Sequence, residues 1–140
     1  MKKNKLLLIG WDAADWKLIG PMMARGEMPA LKSVIDRGVY GNLGTMNPPY
    51  SPMLWSTVAT GKTPDKHGVL NFIEIAPDMK GLRPVTTASR NARAIWNILH
   101  NKGYKSNVVG WWPSFPAEPI NGVVVSDKFQ KINKDPKKKN

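Results

Sequence analysis

Leu6-Leu7-Leu8-Ile9-Gly10-Trp11-Asp12 is the stretch on which the fold class turns. A short, uninterrupted apolar run is what a parallel strand covered on both faces requires, so residues 5–10 are expected to form a central strand. A carboxylate placed directly after such a run is carried to the rim of the sheet. There Asp12 has two readings: a hard oxygen ligand for a divalent cation, or the cap of the following helix, helped by Asp15 three residues on.

Outward from this run, strand-like and helix-like segments alternate, and no repeat is found. Residues 15–25 set Trp16, Ile19, Met22 and Met23 near one helical face, with Gly20-Pro21 as a kink and Gly26 as a stop. Pro29 suits a first helical turn, and Leu31, Val34 and Ile35 follow at helical spacing until Gly38. Residues 39–43 read as a short strand. In residues 91–102, Ala92, Ile95, Trp96 and Leu99 recur at i, i+3, i+4 and i+7, the most regular amphipathic helix in the chain, closed by Gly103. Residues 106–110 and 123–125 read as strands. Residues 111–119, Trp111-Trp112-Pro113-Ser114-Phe115-Pro116-Ala117-Glu118-Pro119, suit no regular element and must be loop. The order points to an α/β fold, a mostly parallel sheet with helices on both faces. Sites in such sheets gather at the carboxyl ends of strands.

Ser51-Pro52 opens a second informative segment, Ser51-Pro52-Met53-Leu54-Trp55-Ser56-Thr57-Val58-Ala59-Thr60-Gly61. Serine is a favoured N-cap and proline a favoured first helical residue, so a helix is expected to start here and run toward Thr60-Gly61. A hydroxyl at a helix start also faces the positive end of the peptide dipoles and the amides of Met53 and Leu54, a setting suited to a phosphate or an alkoxide. Serine is a poor nucleophile at neutral pH without a base or a metal ion. The preceding Asn47-Pro48-Pro49-Tyr50 lacks the Gly-x-Ser-x-Gly elbow of an α/β-hydrolase, which leaves a metal as the natural activator.

Composition narrows the partners. The chain has 140 residues, room for one modest domain, and no cysteine, so disulfides and thiolate ligands are excluded. Its formal net charge is +11, but residues 128–140 hold six lysines against the single Asp135 and read as a solvated, disordered tail. Neither interleaved aromatics nor an RNA- or DNA-reading motif accompanies these lysines, so nucleic acid is not the expected partner. The basic start and short apolar run imitate a secretory signal, yet Asp12 closes the run without a cleavage pattern, which points to a cytoplasmic protein. No stretch approaches the roughly 20 apolar residues of a membrane span.

Four segments in order, Gly10-Trp11-Asp12-Ala13-Ala14-Asp15-Trp16, Gly26-Glu27-Met28-Pro29-Ala30-Leu31, Ser51-Pro52 through Thr60-Gly61, and Pro64-Asp65-Lys66-His67-Gly68-Val69, resemble the N-terminal part of the type I phosphodiesterase and nucleotide pyrophosphatase family, within the alkaline phosphatase superfamily. The resemblance covers residues 5–127 and implies an incomplete alkaline-phosphatase-like domain. It further implies a hydrolase with two divalent metal ions, usually Zn2+, acting on a phosphodiester or nucleotide-like substrate. By position, Asp12 matches a metal-ligating aspartate and Ser51 the nucleophile, nine residues before Thr60-Gly61, which would share a cation with Asp12. Asn71 lies within one residue of an asparagine that hydrogen-bonds a phosphoryl oxygen in relatives. His67 matches a His-Gly turn of structural role, and His100 reads as a solvent-facing polar residue. Two cations about 4 Å apart can stabilise both the entering and the departing oxygen of an in-line displacement.

The departure from the family is also specific. Its remaining ligands come from Asp-x-x-x-His, Asp-His and distant His arrangements that this chain lacks, since only one histidine follows residue 68. Two complete metal sites cannot be assembled from these residues, and the chain is expected to be inactive by itself. The alternatives are a sulfatase or phosphomutase, the former disfavoured by the absence of an arginine just after Ser51, and a non-catalytic protein that binds phosphate ligands or nucleic acid through its basic tail.

Overall fold

The computed structural model describes residues 5–129, so the expected tail lies almost wholly outside the described residues. The chain divides into two compact units, Met1–Gly44 and Thr45–Asn140.

The first unit holds two helices, α1 (Trp16–Ala24) and α2 (Pro29–Ile35). Asp15 caps α1, its carboxylate accepting from the Lys17 amide at 2.8 Å. The capping role, one of the two readings of Asp12, is filled by Asp15 instead. Pro21 sits inside α1, Gly26 follows with φ +75°, and Pro29 takes the first turn of α2 as its fixed φ favours. Residues 39–43 form no strand; Tyr40 instead packs its ring 5.4 Å from that of Trp16, whose indole N–H donates to Gly41 O. Residues 5–10 are likewise unpaired, and Leu6 through Ile9 are exposed. A strand exists only through a neighbour's ladder of hydrogen bonds, and the apolar pattern specifies the neighbour's need without supplying it.

The second unit contains α3 (Ser51–Thr60), α4 (Pro64–His67), β1 (Ile73–Ile75), β2 (Leu82–Pro84), α5 (Ile95–Asn101), β3 (Ser106–Val109) and β4 (Gly122–Val125). β1 and β2 form an antiparallel pair, with Glu74 opposite Arg83; β3 and β4 form a parallel pair, Ser106 opposite Gly122 through Val109 opposite Val125. Helices and two small sheets, one of them parallel, are compatible with part of an α/β domain. Gly122 has φ +148°, and a Cβ there would collide with the Ser106 carbonyl of the neighbouring strand, so the start of β4 is closed to side chains.

The core of this unit is Ala59 of α3, Ala94 and Trp96 at α5, and Val108 of β3, with Trp111, Ile120 and Val124 packed against them. Trp96 is the buried anchor of α5, whereas Ile95, expected on the same face, is exposed. The loop at residues 111–119 is irregular as expected but firmly tied. Trp111 donates its indole N–H to Trp55 O in α3, Phe115 O accepts from the Thr87 amide, and Pro116 O accepts from the Thr87 hydroxyl. Glu118 accepts from Arg90, from the Trp96 indole at 2.8 Å and from Asn97, so a nearly buried cation is matched by a carboxylate with its lone pairs in use.

Candidate functional site

The helix bearing Ser51 begins one residue earlier than the pattern implies. Tyr50 occupies the cap position with extended backbone (φ −77°, ψ 121°), Ser51 is the first helical residue and Pro52 the second. Proline costs little there, because the first-turn amides have no intrahelical partner. The helix closes on Gly61 in the left-handed region, φ +63°. Its first-turn amides are not all directed outward, however: the Leu54 N–H donates to Tyr50 O at 3.0 Å. Of the two amides expected to serve a bound anion, that of Leu54 is engaged within the helix.

Asn71 stands in the bend before β1. Its Oδ1 accepts from the Phe72 amide at 2.7 Å, which fixes the amide group and orients Nδ2 as its remaining hydrogen-bonding end. The neighbouring Phe72 ring meets the Tyr50 ring edge-on at 5.7 Å and the Trp112 ring at 5.2 Å. These contacts bring the residue after Asn71 against the residue before Ser51. Sequence reading had named Asn71 and Ser51 separately; the aromatic side chains that join their neighbourhoods, Tyr50, Phe72 and Trp112, went unnoticed, although each adjoins a quoted motif.

Beside this group, a cavity of about 730 Å³ opens at the carboxyl ends of β3 and β4, lined by Phe72, Val85, Val109, Trp112, Val125 and Phe129 among others. Asp127 borders it, with its carboxylate accepting from both the amide and the hydroxyl of Ser114 while its own amide donates to Ser114 Oγ. The position agrees with the rule that sites in parallel sheets lie beyond the carboxyl ends of strands.

Asp12 belongs to the first unit, in an exposed turn whose next residue, Ala13, has φ +56°. A non-glycine residue in this region is held there against a steric cost, of the kind that recurs at functional turns.

Among the described residues no group of three or more His, Asp or Glu side chains could hold a metal ion. Asp12 and Ser51 would contribute one carboxylate and one hydroxyl, short of the three or four protein ligands of a zinc centre. The donor set present does not fit a complete site.

His67 is fully buried, and its placement is structural in the way the turn motif implies. Burial, reinforced by the positive charge of Arg90, lowers its pKa below the ordinary imidazole range. His100 is exposed on α5. No helix among the described residues is long and apolar enough to cross a membrane.

A family model described as type I phosphodiesterase / nucleotide pyrophosphatase matches residues 6–137. No curated protein and no solved structure matches the chain.

Proposed function

Because the chain belongs to the type I phosphodiesterase / nucleotide pyrophosphatase family, we propose that it supplies the nucleophile and one metal ligand of a phosphodiester hydrolase. Ser51 is the nucleophile, and Asp12 and Ser51 Oγ are metal donors, for Zn2+ in this reading. Asn71 Nδ2 donates to a phosphoryl oxygen. The substrate is a phosphodiester or nucleotide-like small molecule. Residues 1–127 act as the N-terminal portion of an alkaline-phosphatase-like domain.

The observation that carries the reading is the position of Ser51 as first residue of α3 in a chain matched by this family over nearly its whole length. In the reaction assigned to it, Ser51 Oγ gives up its proton and bonds to phosphorus as the ester oxygen on the opposite side departs with the electron pair and takes up a proton, leaving the remaining ester group as a phosphodiester on Ser51; a water oxygen then bonds to phosphorus, the Ser51 Oγ–phosphorus bond breaks, and Ser51 Oγ recovers a proton. Activation of that hydroxyl requires partners beyond the donor set described above. The isolated chain is accordingly inactive.

The test has two arms. The isolated chain with Zn2+ leaves bis(4-nitrophenyl) phosphate intact. A polypeptide that adds the family's further Asp and His ligands hydrolyses it, and Ser51→Ala or Asp12→Ala removes that activity. Hydrolysis that survives Ser51→Ala would eliminate Ser51 as nucleophile.

A further inference from the structure

A row of hydrogen bonds with only one possible direction runs from the turn after α4 to the first turn of α3. His67 Nδ1 lies 3.1 Å from the Val69 amide, which donates to it, so the proton of the neutral ring resides on Nε2. Nε2 lies 2.9 Å from Thr57 Oγ1 and therefore donates to it. The Thr57 hydroxyl, its lone pair engaged by the imidazole, directs its own proton to the Met53 carbonyl at 3.0 Å. With the proton on Nδ1 instead, two N–H groups would oppose each other at Val69.

We infer that His67, held as its Nε2–H tautomer, is a positioning residue for the Ser51 end of α3, acting through the Thr57 hydroxyl on the Met53 carbonyl. Met53 is buried and only two residues from Ser51. A threonine in a helix commonly returns its hydroxyl to the carbonyl four residues back; the imidazole adds a fixed sense to that bond and joins it to a separate element. The turn that carries the imidazole is itself anchored, because the Asn91 amide donates to His67 O at 2.9 Å and the His67 amide donates to Thr63 O.

The arrangement is sensitive to protonation. An imidazolium has no acceptor at Nδ1, so the Val69 bond is lost and the row opens. Among charged groups, Arg90 opposes the protonated ring and Asp65 favours it, and burial opposes it most strongly. Any consequence for catalysis rests on the reading of Ser51 given above, whereas the placement of the α3 first turn does not.

The experiment uses the whole chain and nuclear magnetic resonance. Long-range imidazole correlations should show Nε2 protonated and Nδ1 as acceptor near pH 7.5. Thr57→Val should raise hydrogen exchange at the Leu54 amide several-fold, up to about tenfold for the loss of one buried hydrogen bond, without change at Val108 in β3. Thr57→Ser should restore the slow rate. In the unaltered chain the protection of the Leu54 amide, its exchange rate relative to the intrinsic rate at each pH, should fall on acidification with the same midpoint as the His67 imidazole signals. A proton on Nδ1, or Leu54 exchange that ignores both Thr57→Val and the His67 titration, would overturn the inference. The imidazole spectrum and its pH dependence decide the matter even if Thr57→Val fails to fold. Ser51→Ala should leave the imidazole spectrum unchanged, so failure of the nucleophile assignment is distinguished from failure of the positioning one.

Discussion

The Arg90 guanidinium, with 3% of its side chain exposed, donates from Nη2 to both carboxylate oxygens of Glu118, at 2.8 and 2.7 Å. The pair joins the segment before α5 to the irregular loop after β3. Removing one partner strands a charge away from water, which is far more costly than the net worth of the pair. Glu118→Ala is expected to destabilise the chain by about 3–5 kcal/mol, more than Glu118→Gln, which keeps acceptors for the Trp96 indole and Asn97. Urea unfolding monitored by tryptophan fluorescence checks the order; equal losses would show that the carboxylate charge, and not its acceptors for Trp96 and Asn97, is what the site requires.

Gly68 offers a second test. Its φ is +82°, and an added Cβ would sit 2.6 Å from Asn91 Nδ2 and 3.4 Å from Ser89 O. The backbone region alone costs a non-glycine residue roughly 1–2 kcal/mol, and the crowding adds to it. Gly68→Ala should lower the melting temperature, whereas Gly61→Ala, where a Cβ meets nothing within 4 Å, should show the backbone cost alone.

Ser56 predicts a change of opposite sign. Its hydroxyl is buried in α3 without a hydrogen-bond partner among the described residues. Ser56→Ala removes an unsatisfied polar group and improves helix propensity, so it should stabilise the chain by about 1 kcal/mol. A measured loss of stability would reveal a partner for this hydroxyl.

The buried imidazole makes stability depend on pH in a defined window. The folded-state pKa of His67 is lowered by burial and by Arg90, while the unfolded chain titrates near the ordinary value of about 6.5. Its contribution is therefore complete above that pH. It is lost progressively as the pH falls, because the unfolded chain takes up a proton that the folded chain refuses, and the loss levels off below the folded pKa. Asp65 and Glu27, whose pKa values are lowered by hydrogen bonds to Thr63 and Arg25, are exposed and titrate at more acid pH. Denaturant midpoints between pH 7.5 and 5 should fall for the unaltered chain and flatten in His67→Gln.

Several elements were legible in the sequence because a residue type enforces them locally. Pro29, Gly61 and Gly103 mark helix ends through their backbone preferences, and the prolines of residues 111–119 exclude regular structure. β3 and β4 were each legible as a short apolar run, but that they pair with each other, and in parallel, is a tertiary fact. The expected strands at residues 5–10 and 39–43 did not form, since an apolar run records a demand for a neighbour and no pairing partner for either run is found among the described residues. The β1–β2 hairpin was overlooked although Ile73-Glu74-Ile75 alternates and Pro77-Asp78 with Gly81 signals a turn; three residues per strand leave little pattern to detect. Ser51 and Asn71 were named from motif position alone, and the ring contacts that join their surroundings are tertiary.

Gly122 carries a consequence for heredity. Since the carbonyl of Ser106 occupies the space that any larger residue would need, every missense change in that codon strikes the parallel pair at its first rung, and descendants of this gene should retain glycine there even where the proposed chemistry has been lost.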